Sequence, residues 1–309
     1  MEITRRDFLR YCGASAAVLG LTASDLGLLE KALANPNGPS VIWLQGAGCY
    51  GCSMSFLNRI SATAPTTAAD VLINSINLVF HPAVMSLAGE MAVAAAKLAT
   101  AKPYVLVVEG GVSTSFNGAS CFAWRWAGKD VTFQDAVKEF AAKAAAIVCV
   151  GTCASFGGIP AAPPNPTMIK SVKAVTGKST INIAGCPPHP DWIAWAIVQL
   201  LLGKAIPTDT NGRPTQFYSR TVHSLCPRLE RDETERFGVD YYCLKELGCR
   251  GPRTRANCPV IRFNNRVNWC IDANAPCIGC TEPTFPSASA FYSGAGRGGG
   301  GGTGGGDDD

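Results

Sequence analysis

Long apolar runs and blocks of basic residues are both missing from the 309 residues of this chain. A membrane-spanning helix needs about 20 consecutive apolar residues, and no stretch after the N-terminal region approaches that length, so the mature chain is expected to be soluble. The formal net charge is only +4 and no basic run resembles a nucleic-acid footprint, so nucleic acid is not an expected partner. Charged residues make up 16% and hydrophobic residues 47% of the chain, which indicates a well-buried globular protein and excludes a disordered one.

Histidine is scarce, with three residues, whereas cysteine is abundant, with fourteen. Disulfide frameworks are typical of small secreted domains that lack a core, and this chain is long enough for roughly two domains. Many cysteines stand beside glycine or proline at tight spacing, which favours metal sites over disulfides. Six of them fall in one stretch: Cys243, Cys249, Cys258, Cys270, Cys277 and Cys280. His223 and Cys226 lie just upstream, and thiolates with an imidazole suit iron–sulfur clusters or zinc far better than magnesium or calcium.

The N-terminus predicts the compartment. The sequence Thr-Arg-Arg-Asp-Phe-Leu at 4–9 is a twin-arginine signature, an apolar stretch follows at 14–21, and Ala-Leu-Ala at 32–34 fits a small-x-small cleavage pattern. We therefore expect residues 1–34 to be a signal peptide that directs the folded, cofactor-loaded protein to the periplasm. The alternative is an amphipathic helix of a cytosolic protein.

Strand-like and helix-like segments alternate from residue 39 to residue 203. Short β-branched or aromatic runs predict strands at 41–44, 76–80, 104–108, 147–150 and 181–184. Helices are predicted between and after them at 54–60, 84–98, 133–146, 168–175 and 193–202. This alternation predicts an α/β domain with a parallel sheet covered by helices on both faces.

Cysteines follow three of these strands at the point where each strand ends. Cys49 and Cys52 come after the first strand, Cys153 after the fourth, and Cys186 after the fifth. In open α/β sheets, ligands bind beyond the carboxyl ends of the strands, so four thiolates are expected to converge on one edge and hold one cluster. The Cys-x-x-Cys pair at a strand-to-helix turn also fits a thioredoxin-like redox pair, which stays the alternative for the first two cysteines.

The pattern changes from residue 204 to residue 293, where prolines, glycines and polar residues are frequent and no periodic element exceeds one or two turns. Two short charged helices are predicted there, at 229–237 and 241–247. Such a segment cannot build a conventional core, so its folding is expected to depend on metal, whose binding free energy becomes folding free energy. The last stretch, 294–309, is rich in glycine, ends in three aspartates and is expected to be flexible.

Ordered motifs along nearly the whole mature chain resemble the small subunit of nickel–iron hydrogenases. In the first half they are Trp43-Leu44-Gln45-Gly46, Cys49-x-Gly51-Cys52-Ser53, Val108-Glu109-Gly110, Gly151-Thr152-Cys153-Ala154 and Gly185-Cys186-Pro187-Pro188-His189-Pro190. In the second half they are His223-x-x-Cys226-Pro227, Gly248-Cys249-Arg250-Gly251-Pro252, Asn257-Cys258-Pro259 and Pro276-Cys277-Ile278-Gly279-Cys280. The resemblance implies an α/β, flavodoxin-like parallel-sheet domain with one iron–sulfur cluster, followed by an irregular, metal-stabilised domain with two.

The resemblance also implies which residues hold each cluster. A proximal 4Fe–4S cluster facing the large subunit would be held by Cys49, Cys52, Cys153 and Cys186. A distal 4Fe–4S cluster near the surface would be held by His223, Cys226, Cys243 and Cys249. The medial cluster between them would be held by Cys258, Cys270, Cys277 and Cys280. The positions of two other residues suggest supporting roles: His189, close to Cys186, is expected to donate a hydrogen bond to the proximal cluster, and Glu109, at a strand end, is expected either to make a polar contact at the subunit boundary or to be a plain surface carboxylate.

Cys270 separates two branches of that family. Many members carry proline at this position and a medial 3Fe–4S cluster with three thiolates, whereas a fourth cysteine resembles the nickel–iron–selenium branch with a medial 4Fe–4S cluster. A fourth thiolate retains the fourth iron and adds negative charge, which is expected to lower the medial reduction potential. If Cys270 is not a ligand, a 3Fe–4S cluster is expected instead.

By this resemblance the chain is expected to carry electrons during reversible oxidation of H2, while the nickel–iron centre lies in the large subunit. The expected external carrier is a periplasmic multihaem cytochrome or a membrane quinone-linked subunit. Oxygen-tolerant relatives carry extra cysteines at the positions of Gly51 and Gly158, so an ordinary proximal cluster is expected here. The alternatives are a cytoplasmic relative, the related quinone-reductase subunit and, from a different class, a structural zinc protein or a non-catalytic hydrogen sensor.

Overall fold

The computed structural model describes residues 40–60, 67–68, 76–85 and 87–286. The predicted signal peptide and the glycine-rich tail lie outside these residues. Within them, no helix is both long and apolar enough to cross a membrane.

A five-stranded sheet forms the centre of the first half. In the residues that the structure describes, the strands are β1 (Ser40–Gln45), β2 (Asn77–Phe80), β3 (Tyr104–Glu109), β4 (Phe122–Trp126), β5 (Lys129–Thr132), β6 (Ala146–Val150) and β7 (Ile181–Ile183). The sheet has the order β2-β1-β3-β6-β7, and every neighbouring pair is parallel. This is the flavodoxin-like arrangement, in which ligands bind beyond the carboxyl ends of the strands where the strand order reverses. The predicted parallel sheet is confirmed.

Helices cover both faces of the sheet, and the three that follow residue 203 in the described part of the chain have only four residues each. They are α1 (Gly51–Leu57), α2 (Gly89–Ala99), α3 (Phe133–Lys143), α4 (Thr152–Phe156), α5 (Val172–Thr176), α6 (Pro190–Leu201), α7 (Thr215–Tyr218), α8 (Cys258–Ile261) and α9 (Phe263–Arg266). Single 3-10 turns lie at Ser115–Gly118, Ile159–Ala161, His223–Leu225 and Gly251–Arg253. The helices predicted for the first half are present, with their ends displaced by a few residues. α3 begins where predicted because Thr132 Oγ1 caps it, accepting the N–H of Asp135 at 3.1 Å.

The antiparallel hairpin of β4 and β5 was not predicted, because its turn lacks the usual sequence signal. The turn residues Ala127 and Gly128 both have positive φ, 49° and 77°. A type I′ hairpin turn requires this, but asparagine or aspartate usually stands where alanine stands here. The ring of Trp124 packs edge-on against Phe80 and Phe140, so contacts with β2 and α3 stabilise a hairpin that local propensity does not indicate.

The prediction of two short helices at 229–237 and 241–247 is wrong, because these residues form turns. The backbone N–H of Cys243 donates to the carbonyl of Asp232 at 2.8 Å, so the segment folds back on itself. Tyr241, the first residue of the second predicted helix, has a positive φ of 68°, which a right-handed helix does not accommodate. The dense charges of this segment also leave no apolar stripe that a helix could bury.

Alternate residues of the central strands point to opposite faces, and each face has its own buried core. One face, which includes Ile42 and Leu106, packs against α2 and α3. The opposite face, which includes Val148, packs against α6 and against residues of the second half such as Leu244 and Trp269. The irregular half therefore shares its core with the sheet.

A buried arginine ties the beginning of the second half to its end. The guanidinium group of Arg213, which is 1% exposed, lies 2.9 Å from carboxylate oxygens of both Asp209 and Glu282. Removing one partner of a buried ion pair costs about 3–5 kcal/mol, because the other charge stays buried without compensation. We expect Arg213→Met to lower the unfolding temperature of the assembled protein by several degrees, measured by calorimetry.

The matched control for this prediction is Arg125→Met. Arg125 and Asp130 are both exposed and 4.0 Å apart, and an exposed pair contributes less than about 1 kcal/mol. Equal shifts of the unfolding temperature in the two variants would contradict the role assigned to the buried arginine.

Candidate metal centres

The first group of thiols lies beyond the carboxyl ends of β1, β6 and β7. Cys49 and Cys52 flank the start of α1, Cys153 lies in the first turn of α4, and Cys186 follows β7. Negative charge on Cys153, Cys186 or Cys49 raises the pKa of the Cys52 thiol. Negative charge on Cys49 also raises the pKa of Cys153 and of Cys186. The structure thus brings together the four cysteines that the sequence places at this edge of the sheet.

Burial raises the pKa of Cys52, Cys153 and Cys186. For Cys52, burial is the largest cause, followed by the negative charge of Glu109 and by the three other thiols, and the pKa lies well above its usual value. Burial and the neighbouring Cys186 and Cys49 raise the pKa of Cys153 to about 12. Metal ligation by cysteine requires the thiolate, so metal binding at this edge must displace the thiol protons.

Glu109 ends β3 and is 1% exposed. Its carboxylate accepts the backbone N–H of Cys52 at 3.0 Å, the backbone N–H of Ser53 at 3.1 Å and the indole N–H of Trp43 at 3.2 Å. The hydroxyl of Ser53 donates to the same carboxylate. Glu109 therefore holds the first turn of α1, which carries Cys52, in place from the central strand of the sheet.

Two glycines allow the backbone to pass close to these thiols. Gly151 has φ +88°, and a Cβ there would lie 2.4 Å from Cys52 Sγ. Gly158 has φ +55°, and a Cβ there would lie 3.0 Å from Cys153 Sγ. A side chain at either position would strain the backbone and displace a sulfur.

The second group consists of Cys258, Cys270, Cys277 and Cys280. Negative charge on any of the other three cysteines raises the pKa of the Cys258 thiol, so all four lie close together. Cys270 as a whole residue is exposed. Negative charge on its thiol nevertheless raises the pKa of Cys277 and of Cys280, so its sulfur lies near those two residues. Burial is the largest cause of the raised pKa in the three other thiols, and the pKa of Cys277 reaches about 12.

The third group consists of His223, Cys226, Cys243 and Cys249. The charges of Cys249 and Cys243 act on Cys226, and the backbone N–H of Arg228 donates to Cys226 Sγ at 3.4 Å. Gly251 lies between Cys249 and His223. A Cβ at Gly251 would be 3.4 Å from Cys249 Sγ and 3.5 Å from the backbone nitrogen of His223. The structure thus brings the predicted histidine and its three cysteines into one neighbourhood.

Hydrogen bonds join each group to the next. The hydroxyl of Thr152, which precedes Cys153, donates to the carbonyl oxygen of Cys280. The backbone N–H of Arg250, which follows Cys249, donates to the carbonyl oxygen of Cys277 at 2.7 Å. The three groups therefore form a row with the second group in the middle.

Sequence reasoning left Ser53, Thr152 and Arg250 without a role, although all three lie inside the quoted motifs. Each is the immediate chain neighbour of a predicted ligand. The available signal was a polar residue directly beside a predicted ligand.

The other two histidines use both ring nitrogens in hydrogen bonds. His81 Nε2 lies 3.3 Å from Ser53 Oγ, and its Nδ1 accepts a backbone N–H two residues on. Burial lowers the pKa of His81 to about 4. His189 Nδ1 caps α6 by accepting the N–H of Asp191 at 3.1 Å, and its Nε2 lies 2.8 Å from the carbonyl of Arg262. His189 therefore connects the loop after Cys186 to the second half.

A parallel α/β sheet with thiols at its carboxyl edge, continued by two more thiol-rich groups in a row, defines a class of protein. It is the class of multi-centre electron-transfer subunits, in which soft ligands hold successive redox sites.

Comparison with known proteins narrows the class to a family. Residues 49–200 match the family described as NADH ubiquinone oxidoreductase, 20 Kd subunit, and residues 218–293 match the one described as the C-terminal part of the NiFe/NiFeSe hydrogenase small subunit. The chain is 37% identical to the periplasmic [NiFeSe] hydrogenase small subunit of Desulfomicrobium baculatum, over 94% of this chain and 99% of that protein. It is 40% identical to the periplasmic [NiFe] hydrogenase small subunit of Solidesulfovibrio fructosivorans, over 94% of this chain and 93% of that protein.

The fold agrees with these similarities. The structure of recombinant [NiFeSe] hydrogenase from Desulfovibrio vulgaris Hildenborough in the oxidized state matches with a TM-score of 0.78 and 38% identity, covering 84% of this chain and 99% of that chain. The chain belongs to the family of nickel–iron hydrogenase small subunits. The second half is decisive, because the quinone-reductase family matches only the first.

Proposed function

We propose that this chain carries electrons between the hydrogen-converting centre of a hydrogenase large subunit and an external carrier. The observation that carries the proposal is the row of three thiol-rich groups, each hydrogen-bonded to the next. Oxidation of one H2 releases two protons and two electrons, and the electrons need a path of closely spaced redox sites. Relatives that share nearly the whole chain are hydrogenase small subunits by name.

The three groups are proposed to hold three iron–sulfur clusters, which accept and release single electrons when bound. The proximal 4Fe–4S cluster is assigned to Cys49, Cys52, Cys153 and Cys186. The medial cluster is assigned to Cys258, Cys270, Cys277 and Cys280, and is 4Fe–4S if all four ligate. The distal 4Fe–4S cluster is assigned to His223, Cys226, Cys243 and Cys249.

The spacing of the ligands supports clusters over structural zinc. Structural zinc usually takes its ligands as two close pairs, whereas the ligands here are scattered singles and pairs. Zinc draws its sulfur ligands to about 2.3 Å from one point. A cluster of several irons instead binds each thiolate to a different iron, which keeps the thiolates further apart.

The two ends of the row are proposed to face different partners. At the proximal end, Cys49 is exposed and Met54 of α1, 59% exposed, lines a cavity together with Phe263. Such an apolar rim beside a redox site suits the large subunit. At the distal end, Phe237 and Tyr241 are exposed near the third group, and an external carrier, a multihaem cytochrome or a membrane quinone-linked subunit, is proposed to dock there.

The chain is further proposed to act in the periplasm after export by the twin-arginine route. Residues 1–34 are the proposed signal peptide, 39–203 the sheet domain, 204–293 the cluster-stabilised domain and 294–309 a tail. The two curated relatives compared above are periplasmic by name, which supports this location.

Elemental analysis of the native complex tests the proposal. About twelve irons per chain are expected if three four-iron clusters are filled, together with nickel from the partner subunit. Zinc with little iron and no nickel would overturn the proposal.

Replacement of Cys270 by serine tests the fourth medial ligand. We expect the iron content to fall by about one per chain, and the oxidised protein to show the electron paramagnetic resonance (EPR) signal of a 3Fe–4S cluster. Cys121→Ser is the control, since Cys121 lies outside all three groups, and it should change neither the iron content nor the spectrum. Unchanged iron in both variants and in Cys270→Ala, whose side chain has no atom that can bind iron in place of the thiolate, would mean that Cys270 is not a ligand.

A further inference from the structure

The side chain of Thr152 lies between the proximal and medial groups. This residue begins α4 and is 1% exposed. Its hydroxyl donates to the carbonyl oxygen of Cys280 and accepts the backbone N–H of Gly185 at 2.9 Å. Thr152 is bonded to Cys153 and Gly185 to Cys186, so a single hydroxyl connects two proximal ligands to one medial ligand.

A second contact reaches the same medial ligand. The backbone of Cys186 also forms a hydrogen bond with the sulfur of Cys280. Both the carbonyl and the sulfur of Cys280 are therefore in contact with the proximal group. The hydroxyl of Thr152 fixes the carbonyl, and this keeps the sulfur beside the backbone of Cys186.

In the contact between the medial and distal groups, the hydrogen bonds at Cys277 come from the backbone, while the side chain of Arg250 donates to the carbonyl of Ile278 at 3.4 Å. The backbone N–H of Arg250 donates to the carbonyl of Cys277 at 2.7 Å. The thiol of Cys249 receives a backbone hydrogen bond from Cys277. Substitution of Thr152 can therefore remove a hydrogen bond between the proximal and medial groups. The hydrogen bonds that Cys277 forms with Arg250 and Cys249 come from the backbone of Cys277 and cannot be removed by replacing its side chain.

We propose that Thr152 is a positioning residue for electron transfer between the proximal and medial sites, because its hydroxyl bridges the loop of Cys186 to the backbone of Cys280. This inference rests on the proposed function, in which the large subunit supplies two electrons for each H2 oxidised. One electron passes at a time from the reduced proximal site to the oxidised medial site. No bond forms or breaks at Thr152, and its proton stays on Oγ1.

The test compares Thr152→Val, which keeps the shape but removes the hydroxyl, with Thr152→Ser, which keeps the hydroxyl. Thr281→Val is the matched control, because Thr281 is also 1% exposed and follows Cys280, but its hydroxyl donates to Arg255 within the second half. Each oxidised complex is mixed with H2, frozen at successive times and examined by EPR spectroscopy. We expect Thr152→Val to accumulate reduced proximal sites and to reduce the medial site severalfold more slowly. The serine variant and the control should match the wild type.

Iron content and the unfolding temperature are measured for every variant before the kinetics. If Thr152→Val does not load all its iron, Thr152→Ala carries the test. If neither the valine nor the alanine variant binds its full iron while the serine variant does, Thr152 is needed for folding and the proposal is overturned. Equal rates of medial-site reduction in the valine variant and the wild type would also overturn it. A wild-type complex without iron, or one that H2 does not reduce, would instead overturn the proposed function.

Discussion

Removal of iron from the assembled protein is expected to unfold residues 204–286 while the five-stranded sheet stays folded. The structure describes this segment throughout and shows no strand in it, and α7, α8 and α9 have four residues each. Isolated helices of this length are not stable in water. The order of the segment must therefore come from long-range contacts or from bound metal.

Apolar contacts alone are not sufficient. A fully buried large apolar side chain contributes about 1.5–3 kcal/mol, and ordering the backbone of each residue costs about 1–2 kcal/mol. Residues such as Leu244 and Trp269 are buried against the sheet, but most of their neighbours in the chain are not. Structural metal sites contribute on the order of 10 kcal/mol each, and two of the three proposed clusters lie in this segment.

Hydrogen–deuterium exchange with mass spectrometry, before and after anaerobic chelation, measures this effect. We expect the peptides around Cys226, Cys258 and Cys277 to lose their protection. Peptides of β3 and of α3, which packs on the opposite face of the sheet, serve as the internal control and should stay protected. Protection that persists across 204–286 in iron-free protein would show that metal does not stabilise this half.

Replacement of Glu109 by alanine is expected to disrupt the proximal site from outside the proposed ligands. The carboxylate is buried and accepts hydrogen bonds from Trp43, Cys52 and Ser53. Each buried donor left without an acceptor costs about 1–3 kcal/mol, so the loss amounts to several kcal/mol. We expect the variant to have a lower unfolding temperature, and iron content to fall by about four per chain as the proximal site empties.

Glu109→Gln separates hydrogen bonding from charge. The amide oxygen retains an acceptor for the turn that carries Cys52, so this variant should keep its iron. Loss of the negative charge favours the more negative, reduced state of the site, so a redox titration should give a higher proximal potential. Glu139→Ala is the control, because Glu139 forms an ion pair with Lys97 at the surface and should cost less than about 1 kcal/mol. A Glu109→Ala protein as stable and as rich in iron as this control would refute the argument.

The sheet and the proximal group could be predicted because both follow from local patterns. Short apolar runs mark the strands, and the rule that parallel strands end at one edge brings together Cys49, Cys52, Cys153 and Cys186. Spacing could not divide the cysteines of the second half between two sites, and family resemblance supplied that division. The false helix at 229–237 shows why: charge and helix-forming residues are abundant there, but the turn contacts of Cys243 decide the backbone path.

The contacts between the groups were beyond prediction for a related reason. The bond from Thr152 to Cys280 spans 128 residues, and the bond from Arg250 to Cys277 depends on how two irregular loops lie against each other. Neither has a period or a spacing that a sequence pattern could reveal. Only the position of each polar residue beside a cysteine indicated that it had a role.

The shared core has a consequence for the order of events during synthesis. The aromatic rings of Trp192 and Trp195 on α6 are covered by Phe217 and Tyr218, with ring centroids 4.9 to 5.7 Å apart. A chain emerging from the ribosome presents the sheet and α6 before these covering residues, and before any cysteine of the distal and medial groups. The nascent protein thus exposes a broad apolar face until its second half has been made and loaded with metal, and exposed faces of this kind aggregate. A chaperone that covers α6 during this interval would prevent aggregation.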